Sequence, residues 1–147
     1  YVECADTKGY VESLGFRATV IRDFGGTLHT IPNSAIRIVT NEGRGRKRAK
    51  VVVPIDRAED PDRAITVIDG AAKSLREKYP KSESDVWGVT NFIPNGYEIT
   101  VVAWDDAHNQ FELEYDLRKA IAKAMNEADV NIPIARYEGV PFKGGLQ

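Results

Sequence analysis

The 147-residue sequence has one cysteine, one methionine, two histidines and no long apolar run. Its lone Cys4 excludes an internal disulfide; a small buried hydrophobe is the ordinary role for such a residue, and a reducing compartment fits. No window approaches the ~18 consecutive apolar residues of a transmembrane helix, and no signal-peptide pattern is present. A surplus of charge is missing too. The formal net charge of -2 and pI near 5.7 give no global pull toward nucleic acid or anionic membrane. There is no GxxxxGK(S/T) phosphate loop, CxxC pair, HExxH helix or GxSxG elbow, so neither catalysis nor a cofactor is expected. What is present is 42% hydrophobic residues, enough for a packed core. The chain opens at Tyr1, directly on strand-like residues, and we expect a segment upstream of it.

The first third has a β rhythm. Tyr1 to Cys4, Tyr10 to Leu14, Phe16 to Ile21, Thr27 to Ile31 and Ile36 to Thr40 are β-prone, punctuated by Gly9, Gly15, Gly25-Gly26 and Pro32-Asn33. In Phe16-Arg17-Ala18-Thr19-Val20 the alternation puts Phe16, Ala18 and Val20 on one face, read as the buried one, with Arg17 and Thr19 opposite. A small, strongly bent sheet or barrel over residues 1–43 follows. So small a unit buries little apolar surface and should lean on a neighbour or on copies of itself.

The stretch Asn41 to Lys50, NEGRGRKRAK, is basic and glycine-punctuated. Arg44, Arg46, Lys47, Arg48 and Lys50 form either a patch for an anionic partner or a solvated linker. Without interleaved aromatics for base stacking, the linker reading over residues 44–49 is favoured.

Residues 50–147 alternate strand and helix. Asp60-Pro61 supplies an N-cap and a first-turn proline, and Ile65, Ile68, Ala72, Leu75 and Tyr79 recur at helical spacing until Pro80. Val86 to Phe92 and Tyr97 to Trp104 flank Asn95-Gly96, a strong hairpin signal. A second helix near Phe111 to Ala128 and a last strand from Asn131 to Tyr137 complete βαββαβ, the ferredoxin-like sandwich. The expected fold class is therefore α+β, with a small bent β domain preceding this sandwich.

Few residues suggest chemistry. Asp105, Asp106, His108 and Asn109 offer metal-ligating atoms, but just before a helix they serve equally as caps. His29 sits in a β-prone run with no carboxylate or nucleophile near it in sequence to complete a catalytic set, and reads as structural. Asp56, Glu59, Asp60 and Asp62 precede a helix whose positive end favours them. Thr30 to Ile36, TIPNSAI, is stranger. Pro32 cannot donate a ladder hydrogen bond, Asn33 favours turns, and the result is a rigid polar turn between two β runs.

The span Gly9 to Asn41, GYVESLGFRATVIRDFGGTLHTIPNSAIRIVTN, resembles the signature of the small-conductance mechanosensitive channel family. The likeness lies in Gly9, Val11 and Glu12, then Arg17, Thr19, Ile21 and Arg22, then Ile31-Pro32-Asn33-Ser34 and the β run ending at Asn41. The later helices and strands resemble the family's α/β domain more loosely. The resemblance implies the vestibule part of a homo-heptameric membrane channel that passes ions and small solutes under bilayer tension. It implies membrane attachment through upstream helices, a cytoplasmic face of the inner membrane, and no nucleic acid. Pro32, Asn33 and Ser34 would contact the pore helix, although the residues alone give equally an ordinary turn whose Asn33 and Ser34 cap their own backbone, and Arg44, Arg46, Lys47 and Arg48 would lie near side portals. One departure is the glycine often found after the second helix, where Asp129 stands here; it leaves the helix exit open. Two other readings compete. A small barrel with a ferredoxin-like domain also describes RNA-binding modules, though no RNP-type aromatic strand is present. A metal-dependent hydrolase at Asp105 to His108 lacks a complete site.

Overall fold

The computed structural model describes residues 1–135. The chain divides into two compact units, Tyr1–Lys47 with Asp105–Gln110, and Arg48–Trp104 with the chain from Phe111 on. Both sheets and both helices together make an α+β fold.

The first unit contains β1 (Val2–Cys4), β2 (Thr7–Leu14), β3 (Ala18–Arg22), β4 (Leu28–Pro32), a 3-10 turn (Asn33–Ala35) and β5 (Val39–Asn41). They form one five-stranded sheet in the order β4-β3-β2-β1-β5. β1 turns into β2 through Ala5 and Asp6, both at positive φ (46° and 58°), a turn whose twist matches the flanking strands. A bulge between Val11 and Ser13 bends β2 against β3. Gly9 is required by close approach, because a Cβ there would collide with the Arg22 carbonyl oxygen and Ile21 Cγ2.

The core of this unit is small: Cys4, Ile21 and Ile31, with Val2 and Ile36 packed against it. Cys4 takes its ordinary buried role. The face expected to be buried on β3 is the other one. Thr19 and Ile21 are buried, whereas Phe16 is 98% exposed and precedes the strand. A threonine can take the inner face because its hydroxyl has a partner there, Asn33 Oδ1 at 2.8 Å.

The second unit contains most of β6 (Arg46–Asp56), then α1 (Pro61–Ser74), β7 (Glu83–Ile93), and most of β8 (Gly96–Asp106) and of α2 (Gln110–Glu127). Its sheet runs β6-β8-β7, with the third strand between the first two as a split-βαβ unit demands. Residues read as a linker instead begin a strand. From Arg46 to Lys50 the burial alternates, so Arg46, Arg48 and Lys50 project outward while half-buried Lys47 shares the face on which Ala49, Val51, Val53 and Ile55 enter the core. Opposite them lie Ala64, Ile68 and Ala72 of α1 and Leu113, Leu117, Ile121 and Met125 of α2.

Local signals act as read at most ends. Asp60 Oδ1 accepts the Asp62 amide at 3.2 Å, capping α1, and Asn95 takes φ 63° at the β7–β8 turn. Helix α2 exits without glycine because Asp129 itself adopts φ 52°, and the Val130 amide donates back to the Met125 carbonyl at 2.9 Å. The expected last strand does not form over residues 131–135. There Pro133 has no amide hydrogen, and the amides of Asn131 and Ile134 donate to the side chains of Glu59 and Asp56. The rest of that expected strand, from 136 on, lies outside the described residues.

Candidate functional site

The Pro-Asn turn is built inward. Pro32 closes β4 and is exposed, and Asn33 opens the 3-10 turn. Asn33 Nδ2 donates to the carbonyls of Gly15 (2.9 Å) and Phe16 (3.1 Å), and its amide nitrogen donates to the Arg17 carbonyl at 2.9 Å. With Thr19 donating to Oδ1, every polar atom of the side chain has a partner within the β unit. Asn33 thus clamps the β2–β3 loop onto the turn. Ser34 is exposed beside it.

That clamp holds two apolar side chains in solvent, Leu14 at 79% and Phe16 at 98% exposure. An apolar groove of about 340 Å³ lies alongside, lined by Val2, Cys4, Val11, Leu14, Ile36 and Val39. Sequence reasoning singled out the polar turn and missed these residues. A signal existed: Phe16 follows Gly15 outside the strand, where alternation no longer assigns a face.

The basic run is divided. Arg44 lies in a loop next to Gly45 (φ 86°), while Arg46, Lys47 and Arg48 belong to β6. The expected lack of aromatics does not hold in space. Trp87, bulged out of β7, brings its ring centroid within 5.6 Å of Arg48 Cζ and 5.9 Å of Lys50 Nζ. Trp87 falls between Asp85 and Gly88, the partners of Val102 and Thr100, which are 0% and 3% exposed yet lie outside the core under the helices. The stems of Arg48 and Lys50 and the indole roof this sheet face, with the charges kept in water.

The remaining flagged residues take structural parts. Buried Asp105 accepts the Asp106 amide (2.8 Å) and Asn109 Nδ2 (3.1 Å), while His108 is exposed. Among the described residues no group of three or more His, Cys, Asp or Glu side chains is placed to hold a metal ion. His29 does have a carboxylate partner, contrary to expectation. Its Nε2 lies 2.9 Å from Asp23 Oδ2 because the β3–β4 hairpin folds the two together. Asp56 accepts the Ala58 amide at 2.9 Å, and Glu59 accepts the backbone and side-chain nitrogens of Asn131.

A small β sheet followed by a ferredoxin-like unit defines the class of protein. Residues 1–44 match the family model for the mechanosensitive ion channel β-domain. The small-conductance mechanosensitive channel of Caldanaerobacter subterraneus is 30% identical over 142 residues, 92% of this chain and 49% of that protein. An uncharacterized MscS family protein of Bacillus subtilis, YfkC, is 27% identical over 84% of this chain and 49% of its own length. The closed-state crystal structure of Helicobacter pylori MscS shares the fold at TM-score 0.78 and 22% identity, covering 93% of this chain and 55% of that one. Arabidopsis thaliana MSL1 shares it at TM-score 0.70 and 13% identity over 91% and 51%. The chain is MscS-like and spans about half the length of the curated relatives it matches. Among the described residues no helix is long and apolar enough to cross a membrane.

Proposed function

We propose that this chain is the cytoplasmic vestibule portion of a homo-oligomeric mechanosensitive channel of the inner membrane, passing ions and small solutes when tension rises. The observation that carries this reading is a likeness running through both units in order, at 30% identity over 92% of the chain, to a protein named a small-conductance mechanosensitive channel. A second feature supports assembly. Tyr10, Leu14, Phe16, Phe24 and Ile38 of the β unit are between 60% and 98% exposed, more apolar surface than so small a core balances alone. Copies of the chain arranged in a ring, seven in the family, would cover it.

In this reading Pro32 and Ser34 face the pore helix with Leu14 and Phe16, and Asn33 sets the loop that presents them. Arg44, Arg46, Lys47 and Arg48 bias ions at side openings. RNA binding is the competing reading, favoured only by Trp87 beside Arg48 and Lys50; the same strand carries Glu83 and Asp85, which oppose a phosphate footprint. Sedimentation velocity across a wide concentration range tests the assembly: self-association that strengthens with concentration is expected, and a strict monomer throughout counts against it. Salt-dependent RNA retention by the same sample would favour the competitor.

A further inference from the structure

We propose that Asp23 and His29 form a proton-operated latch on the β3–β4 hairpin, closed more firmly when the imidazole is cationic. The geometry is a converging cluster. Asp23 Oδ1 accepts the Thr27 amide at 2.8 Å, Oδ2 meets His29 Nε2 at 2.9 Å, and the hairpin closes through Asp23 N to Thr27 O (2.9 Å) and Gly26 N to Asp23 O (3.0 Å). One carboxylate therefore ties both ends of the loop that carries Phe24, itself 88% exposed.

The surroundings leave the charge state of this pair in control. Strand β4 is at the sheet edge, so β3 is its one strand neighbour, and His29 lies opposite Ile21 there. Among the described residues the charged partner of His29 is Asp23, and Arg22, opposite Leu28 in the register, has its guanidinium occupied by Glu12 of β2 and by the Gly26 carbonyl. β4 itself, Leu28–Pro32, carries no other charged residue. The hydrogen bond from His29, with the Thr27 and Gly25 amides, holds the Asp23 carboxyl below the usual carboxylate range, so it stays anionic wherever an imidazole changes charge. A neutral imidazole offers this carboxylate at most one tautomer that donates from Nε2; a protonated one always donates, through a charge-assisted bond. Falling pH therefore stiffens the Phe24 tip until the carboxyl itself protonates.

Amide hydrogen exchange on the 147-residue chain tests this. Corrected for intrinsic exchange, protection of the Thr27 and Gly26 amides should rise about three-fold between about pH 8 and about pH 5.5, a modest factor because both side chains are partly solvated. The Val20 amide, within β3, should show no such change. In His29→Gln and in Asp23→Asn, each a surface change that keeps the edge strand, the pH dependence at Thr27 should vanish. Equal protection at both pH values, an equal rise at Val20, or a rise that persists in His29→Gln would overturn the latch.

Discussion

Thr19 and Asn33 meet across the first sheet at 2.8 Å, hydroxyl to amide oxygen, while the other end of the same asparagine holds the carbonyls of Gly15 and Phe16. This makes Asn33 a clamp inside the β unit. Asn33→Ala should destabilise that unit by about 1–2 kcal/mol, since each net bond contributes roughly 0.5–1.5 kcal/mol and the two freed carbonyls regain water. Asn33→Asp should be at least as damaging, because one carboxylate oxygen would face those carbonyls. Urea unfolding of the chain measures both. Unaltered stability in Asn33→Ala would mean that the side chain is free to serve a partner instead.

Glycine positions separate by what surrounds them. A methyl at Gly9 meets the Arg22 carbonyl and Ile21 Cγ2, so Gly9→Ala should cost about 2–3 kcal/mol through overpacking. Gly70 lies within α1, and nothing is within 4 Å of its added Cβ. Gly70→Ala should therefore stabilise by up to about 1 kcal/mol. Thermal melting of the pair, with shifts of opposite sign, checks the packing of both units.

Acid should loosen a clasp between the segment that follows α1 and helix α2. Lys78 Nζ reaches Asp116 (2.7 Å) and Glu112 (2.6 Å), and the Tyr79 hydroxyl donates to Asp116 at 2.8 Å. Lys78 first, then Tyr79, hold the Asp116 carboxyl below its ordinary range. A depressed carboxyl contributes stability that is fully present above its unfolded value, about 3.9, and is lost as pH falls through the lower folded value. Asp116→Asn should therefore flatten the stability profile below about pH 4. Tyr79→Phe should cost about 0.5–1 kcal/mol near neutrality. A mutant profile parallel to the original in acid would contradict the assignment.

Sequence alone carried the parts whose causes are local. Asp60-Pro61 starts a helix because cap and proline act within one turn, and Asn95-Gly96 marks a hairpin because Asn95 accepts positive φ at the turn. Relationships across the sheets were out of reach. Trp87 is 39 positions from Arg48, and only a bulge in β7 and the intervening β8 bring them together. The basic run looked like a linker because charge hides a strand whose other face is apolar, as Ala49, Val51 and Val53 are. The polar turn drew notice, but whether Asn33 points in or out depends on where the β2–β3 loop passes, which no spacing encodes.

If Arg44, Arg46 and Arg48 bias ions at side openings, replacing all three by Gln in the full-length protein should move the reversal potential in asymmetric KCl toward cation preference, because positive charge near an aperture repels cations. The shift should shrink as ionic strength rises. A reversal potential that does not move would leave these residues as the outer face of β6 and nothing more.

The channel reading itself is tested most directly by patch-clamp recording of the full-length protein in liposomes under stepped suction. The account predicts discrete conductance steps whose open probability climbs with pressure, altered in time course by Phe16→Ser, which keeps the clamp but removes the apolar contact. Patches that contain the protein yet rupture with no pressure-dependent steps would contradict it.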